Sequence, residues 1–301
     1  MCLVGNGVRP LADVHVDEDL VRALVSDQHP DLAGPVRTVG SGWDNAVFRL
    51  GDDLCVRLPR RRASADLVDQ ELRWLPALAP DLPLPVPVPV RRGEPGHGFP
   101  WTWSICRWVV GETALHHPPA GAETTATILG RFVAVLHQPA PSDAPVNPFR
   151  GIPLAERAPM VEEHLDELAL DDHIVDIRGI WEIALAEAPW AGAPCWLHGD
   201  LHPGNLVMRS GRLVGIVDFG DLTAGDPATD LAVAWMLFPP EVRPVFRAAA
   251  GDIDDATWGR ARGWALALAV SVLSHSADDP HMARLGRRTL DAVLTDAGSR
   301  P

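Results

Sequence analysis

This chain contains no lysine and no tyrosine. Wherever the protein needs a fixed positive charge, an arginine guanidinium must supply it. Positive charge is also in deficit: Lys and Arg total 26 against 40 acids, a net charge of −14. That argues against a nucleic-acid partner, which requires an excess of cations to replace phosphate counterions. The acidity suits a cationic small molecule, and equally suits a protein that is merely soluble. Cysteine is scarce. Cys2, Cys55, Cys106 and Cys195 lie far apart in sequence with no CxxC pair, which argues against a zinc site or a disulfide framework. Cys55, Cys106 and Cys195 each sit in an apolar run and are expected to be buried, reduced thiols. The first ten residues lack the charged-then-apolar pattern of an export signal. The longest apolar stretch, Trp264 to Leu273, is about half of what a membrane-spanning helix needs. These absences together predict a soluble, cytoplasmic protein with no membrane partner. There is no internal repeat, and nothing specifies an oligomeric state.

What is present is 301 residues with a hydrophobic fraction of 47%, enough for a packed core in one large domain or two lobes. Residues 17–28 read as an amphipathic helix with acids in its first turn. Strands follow at Val36–Val39, Ala46–Leu50 and Leu54–Leu58, separated by a loop over Gly40–Asn45 and a Gly/Asp-rich turn at Gly51–Asp53. Residues 63–78 have helical periodicity, with Leu67, Trp74, Leu75 and Leu78 on one face. Glu71 falls on the same face. A carboxylate there is costly unless a cation meets it, and Arg57 on the preceding strand is the nearest; the alternative is that Glu71 reaches the rim of the stripe. Pro76–Pro95 reads as an extended, polyproline-like connector rather than a ligand for a partner domain. It leads into a strand over Pro100–Val110. Beyond Gly111 the patterns are mainly helical, over 121–137, 154–188, 227–238 and 241–297, with a loop at 138–153. Strands crowd the first third and helices dominate the rest, which predicts a small β-rich lobe joined near Val109–Gly111 to a larger helical one.

Chemistry concentrates in Cys195–Asp230, CWLHGDLHPGNLVMRSGRLVGIVDFGDLTAGDPATD. Leu206–Met208 and Leu213–Val217 are strand-like runs joined through Ser210-Gly211, an acceptable hairpin turn. Pairing Arg209 with Arg212 would leave Asn205 and Asp218 at one open end. An amide oxygen and a carboxylate suit a hard cation such as Mg2+. Asp200, on the loop entering the hairpin, is placed to take a proton from an attacking hydroxyl. Two alternatives stand beside this reading. Asp and Asn cluster at hairpin ends because they make turns, and His198, Asp200 and His202 form an HxDxH pattern found in metal hydrolases. Asp226-Pro227 is a helix start. Asp230, one turn on, is expected to satisfy backbone N–H groups of a neighbouring loop, the one carrying Asp200 being the candidate.

The segments His198–Asn205 (HGDLHPGN), Ile216–Gly220 (IVDFG) and Gly225–Leu231 (GDPATDL) resemble, in order and spacing, the aminoglycoside phosphotransferases, relatives of the protein kinases. The resemblance extends over Gly40–Gly111 and so over roughly the full chain. It implies an α+β, protein-kinase-like two-lobed fold, with an N-lobe at 1–110 and a C-lobe with a catalytic hairpin at 111–301. It implies ATP or GTP with Mg2+, and transfer of the γ-phosphate to an alcohol hydroxyl, with Asp200 as catalytic base and His202 near the phosphate. Asn205 and Asp218 would hold Mg2+. Gly40 and Gly42 would lie in the loop over the nucleotide phosphates, and Arg57 would contact the α/β-phosphates and pair with Glu71. Arg107–Val109 would be the hinge whose backbone reads the base. The insertion near 150–190 and the C-terminal helices would form the acceptor pocket. Arg57 stands where the kinases have Lys, which keeps the charge and changes the geometry. The acids Glu162, Glu163, Asp166, Glu167, Asp171 and Asp172 would favour a polycationic, aminoglycoside-like acceptor if they are not simply a solvated helix face. Macrolide, choline-type and sugar kinases share the scaffold. A catalytically silent nucleotide-binding protein would have lost Asp200, Asn205 or Asp218, and all three are present.

Overall fold

The computed structural model describes residues 10–168 and 174–297. The described chain divides into two units: a sheet unit of residues 10–110 with 215–220, and a helical unit of 111–214 with 221–297.

The sheet unit opens with helix α1 (Glu18–Gln28), which begins where Asp17 accepts a hydrogen bond from the Leu20 N–H at 2.9 Å. Strands β1 (Val36–Ser41), β2 (Asn45–Leu50) and β3 (Leu54–Pro59) follow. Helix α2 (Arg62–Leu78) and strands β4 (Pro89–Gly93) and β5 (Trp103–Arg107) complete the unit. The sheet is antiparallel in the order β1-β2-β3-β5-β4. One face carries Phe48, Val56, Leu58, Trp103 and Ile105, which pack with Val21, Leu24 and Val25 of α1 in the main core of the unit. By strand alternation, Cys55, Arg57, Ser104 and Cys106 point to the opposite face.

Three details differ from the sequence reading. The first hairpin is tighter. Gly40 lies within β1, opposite Val47 and beside a bulge, so the loop shrinks to residues 42–44, closed by Gly42 N–H donating to the Asn45 carbonyl at 2.8 Å. In α2 the buried line is Ser64, Ala65, Val68, Glu71 and Leu75, while Leu67, Trp74 and Leu78 are only half-buried. The position of Glu71 sets that line, because residues three and four apart share a helix face. The helix also continues through Pro76, and the proline-rich stretch ends in β4, whose first residue is a proline on an edge strand, a position where no ladder donor is lost.

The helical unit contains β6 (Glu112–Thr113), α3 (Ala122–Leu136), α4 (Ala158–Leu168) and α5 (Ile174–Ala186). After β7 (Cys195–Leu197) come β8 (Leu206–Arg209), β9 (Arg212–Ile216), whose last two residues group with the sheet unit, and β10 (Thr223–Gly225). Helices α6 (Ala228–Leu231), α7 (Val233–Leu237), α8 (Arg243–Ala249), α9 (Asp255–His275) and α10 (Pro280–Ala297) finish the chain. Ala261 and every residue from Gly263 to Val270 are buried, so α9 is apolar all round over that stretch and forms the centre on which α4, α5, α6 and α10 pack. The β8–β9 turn has positive φ at both Ser210 (52°) and Gly211 (74°), as a two-residue turn of the primed type requires. Among the described residues no helix is long and apolar enough to cross a membrane.

Candidate active site

In the sheet unit, Arg57 and Glu71 are both buried, 6% and 3% exposed, and they make a short hydrogen-bonded ion pair from Nη1 to Oε1. Arg57 Nη2 donates to Asp218 Oδ1 at 2.8 Å. Burial opposes the charge on Arg57, but Glu71 and Asp218 more than compensate and hold it protonated. Burial pushes the Glu71 carboxyl up, with Asp218 adding to it and Arg57 pulling it back. Asp218 is half-exposed, at 51%, and sits at φ 66°, a left-handed conformation that Asp tolerates better than most residues. The loop beside Gly42 is held from behind. Arg60 Nη1 donates to the Gly42 carbonyl at 3.0 Å, and Asp44 accepts from Arg61 Nη2 and Ser64 Oγ. In the expected hinge, the Arg107 N–H already donates to the Val88 carbonyl and the Trp108 N–H to the Asp53 carbonyl. Among the described residues no backbone acceptor takes the Val109 N–H.

In the helical unit, Asp200 follows β7 on a loop fixed from below by Asp230. Asp230, 0% exposed, accepts from the N–H groups of His198 (2.8 Å) and Gly199 (2.9 Å) and is met by His137 Nε2 at 3.2 Å. Burial works against its charge, and His137 and His198 overcome that, leaving its carboxyl below the ordinary value. Gly199 itself is at φ 83°, and a side chain there would meet the Asp221 carbonyl oxygen at 2.2 Å, so only glycine carries the chain past this point.

Around Asp200 the contacts are dense. His202 Nε2 lies 3.3 Å from Oδ2, and Arg150 Nη2 lies 3.4 Å from Oδ1. Desolvation pushes the Asp200 carboxyl up, but His202, Arg150 and His198 outweigh it and hold it well below the usual carboxylate range. His202 Nδ1 accepts from the Gly204 N–H at 3.0 Å, which assigns the proton of the neutral ring to Nε2 and aims it at Asp200. His202 thus orients the carboxylate. Asn205 Nδ2 donates to the Asp200 carbonyl at 2.8 Å. That turns the amide so that Oδ1, the atom a hard cation takes, is left for other partners. The amide oxygen of Asn205 in the helical unit and the carboxylate of Asp218 in the sheet unit are each a donor of the kind Mg2+ prefers, so each residue taken by itself has the chemistry to hold the ion. The three-ligand hydrolase alternative fits poorly. His198 Nδ1 accepts from the Asp200 N–H at 3.2 Å, His202 Nδ1 is engaged with Gly204, and no metal-binding group of three His, Cys, Asp or Glu occurs among the described residues.

Sequence reasoning missed Arg150. It lies in the long loop between α3 and α4, which several hydrogen bonds hold in place. Asn147 donates to Thr223 Oγ1 (2.9 Å) and Asp221 Oδ1 (2.6 Å), Gly151 N–H to Thr229 Oγ1 (3.1 Å), and Asp226 N–H to the Gly151 carbonyl (2.8 Å). A loop this long and this well fixed serves to place a side chain. His137 and Arg260 were missed too. Arg260 pairs bidentately with Asp226 at 2.8 and 3.1 Å, both buried, which ties α9 to the start of α6. No local pattern marks these residues. The acidic face on α4 is partly compensated: Glu162 and Asp166 both pair with Arg178 of α5 and share its one charge. Asp171 and Asp172 lie outside the described residues.

The sequence profile of the phosphotransferase enzyme family (APH) matches residues 35–264. An aminoglycoside 3'-phosphotransferase of Escherichia coli is 27% identical over 139 residues, covering 44% of this chain and 51% of that protein. One from Salmonella typhimurium is 26% identical over the same length. The chain thus spans about half the length of the curated relatives it matches, 51%. Among solved structures, the GDP complex of wild-type aminoglycoside 2'-phosphotransferase-IIIa superposes with a TM-score of 0.71 at 20% identity, covering 94% of this chain and 100% of that one. A macrolide 2'-phosphotransferase from Brachybacterium faecium superposes with 0.60 at 22% identity, covering 92% and 98%. At these identities the superpositions establish the α+β, protein-kinase-like fold, and the profile match over most of the length makes the chain a member of the phosphotransferase enzyme family.

Proposed function

We propose that this chain is a small-molecule phosphotransferase that moves the γ-phosphate of ATP or GTP, with Mg2+, to an alcohol hydroxyl. The arrangement around Asp200 carries the reading: an ionised carboxylate, oriented by His202 Nε2 on one oxygen and flanked by Arg150 on the other, on a loop braced by a buried Asp230. Such a carboxylate accepts a hydrogen bond from an incoming hydroxyl and takes its proton as the new O–P bond forms and the bond from the γ-phosphorus to the bridging oxygen breaks. In the sheet unit Arg57, kept charged by Glu71, contacts the α/β-phosphates in place of the kinase lysine, and the loop at Gly42, with Gly40 at the strand end, covers them. Val109, whose N–H meets no backbone acceptor among the described residues, reads the base with the carbonyls of the Arg107–Val109 segment. Mg2+ held by Asn205 and Asp218 would neutralise charge on the phosphates during transfer.

The acceptor is a small polar molecule with a free hydroxyl, an aminoglycoside-like antibiotic in the first place, as the aminoglycoside phosphotransferases among its relatives suggest, with a macrolide, choline-type or sugar acceptor as the alternative. Glu162 and Asp166 share the single cation Arg178, so this group keeps a net negative charge that suits an ammonium-bearing acceptor, while Arg150 places a cation beside Asp200. The nucleotide half of the reading is tested by calorimetry of ATP and GTP binding with and without Mg2+. The wild type should bind more tightly with the ion, and Asp218→Ala should lose that gain; equal Mg2+ dependence in the two proteins contradicts the metal assignment.

A further inference from the structure

Two cysteines that lie 51 residues apart in sequence are direct neighbours in the sheet. Cys55 of β3 is the cross-strand partner of Cys106 of β5. Directly opposed residues in an antiparallel pair have Cα atoms about 4.5–5.5 Å apart, inside the span of about 4.4–6.8 Å that a disulfide bridges. Opposed side chains leave the sheet on the same face, so the two thiols lie side by side. Cys106 Sγ lies 3.4 Å from Ser104 Oγ. Cys55 and Cys106 are 3% and 0% exposed, and both are unbridged.

The pair sits among the residues assigned to the nucleotide. Cys55 shares its sheet face with Arg57, two positions on, and Arg57 opposes Ser104 as Cys55 opposes Cys106. Cys106 immediately precedes the Arg107–Val109 segment. We propose that Cys55 and Cys106 are a dithiol that peroxide converts to an intramolecular disulfide, and that this bond closes the base and phosphate contacts beside it to nucleotide. The effect on nucleotide rests on the function proposed above; formation of the bond does not.

The chemistry balances with a peroxide as the two-electron oxidant. The Cys55 thiolate attacks one peroxide oxygen, the O–O bond breaks, and a sulfenic acid and one water result. Cys106 then attacks the sulfenic sulfur and expels a second water, leaving the disulfide. The order of attack follows from the surroundings. Cys106 beside it holds the Cys55 thiol below its ordinary value despite burial, with help from Arg57, while Cys106 is pushed up. Burial makes the step depend on local opening of the sheet, so a nucleotide bound against this face protects the pair. Cys195 is a poor competitor, since burial and the nearby Asp230 push its thiol up to about 12.

The test uses the reduced full chain treated with hydrogen peroxide, with and without Mg2+ and ATP or GTP. Cysteine-containing peptides are then mapped without reduction, and nucleotide affinity is read by calorimetry. The expected result is a Cys55–Cys106 linked peptide that forms more slowly with nucleotide present, and a loss of affinity of roughly tenfold or more that dithiothreitol reverses. Cys195→Ser should keep the sensitivity. Cys106→Ser should lose it, read as the ratio of affinities before and after peroxide so that any change in starting affinity cancels. Absence of the linked peptide while other thiols oxidise overturns the site. A linked peptide with unchanged affinity overturns the closure. If the reduced chain binds neither nucleotide, the proposed function fails while the peptide map still decides the disulfide.

Discussion

Arg57 is the residue on which the sheet unit's charges converge, since its guanidinium serves Glu71 and Asp218 at once. A buried ion pair contributes little net stability when both partners are present, and leaves an uncompensated charge when one is removed. A double-mutant cycle on Arg57→Met and Glu71→Gln, followed by chemical denaturation, should therefore show a coupling of about 1–3 kcal/mol, with the double variant more stable than the sum of the single losses implies. Strict additivity would mean the two side chains do not support each other. Sequence alone raised this pair, because a lone acid on an apolar helix face demands a cation. It was silent on Arg150 and His137. Their partners, Asp200 and Asp230, are 50 and 93 positions away, and only the folded loops bring them together. The Cys55–Cys106 contact was hidden for the same reason: each thiol sits in an ordinary apolar strand, and the register that joins them is set by strand order.

The elements were legible where their signals are local. Helix α1 starts at an acidic cap, and the Ser210-Gly211 turn has the residues its φ values call for. Strands β6 and β10 were missed because two or three residues carry no periodicity. The buried face of α2 was misjudged because a paired carboxylate displaced large apolar residues from the inward line. Helix α4 has a polar group that makes its packing sensitive to pH. His164 is 6% exposed and stacks edge-on with His275 at 5.1 Å. Burial, then the charges of His275 and Arg157, depress its pKa from 6.5 to about 4. The unfolded chain therefore binds a proton on this ring at a pH where the folded chain does not. Stability is full above 6.5 and falls as the pH drops toward about 4. The loss should be on the order of 2 kcal/mol, and His164→Gln should flatten it in denaturation curves at pH 7 and pH 5. An unchanged slope would place the sensitivity elsewhere. Asp200 and Asp230 are held below the carboxylate value of 3.8, so their own acid losses fall below this window.

At the scale of the whole molecule, family and fold were readable because their marks are spaced motifs, and spacing survives where overall identity does not. The identity of the acceptor was less legible. The acids of 162–172 attract a polycation only as far as they are uncompensated, and two of them share the one charge of Arg178; the net charge of −14 describes the surface as a whole and cannot report such pairing. The central claim is that Asp200 carries phosphoryl transfer from a nucleoside triphosphate to a hydroxyl. Its most direct test is diphosphate release from Mg·ATP and Mg·GTP over a panel of macrolides, aminoglycosides, choline and simple sugars, with the wild type and Asp200→Asn assayed side by side and nucleotide binding measured on both. Acceptor-dependent turnover in the wild type, cut by about a hundredfold or more in Asp200→Asn with nucleotide binding kept, is the predicted result. Comparable acceptor-dependent turnover in both proteins, or no acceptor-dependent turnover in either, contradicts the account.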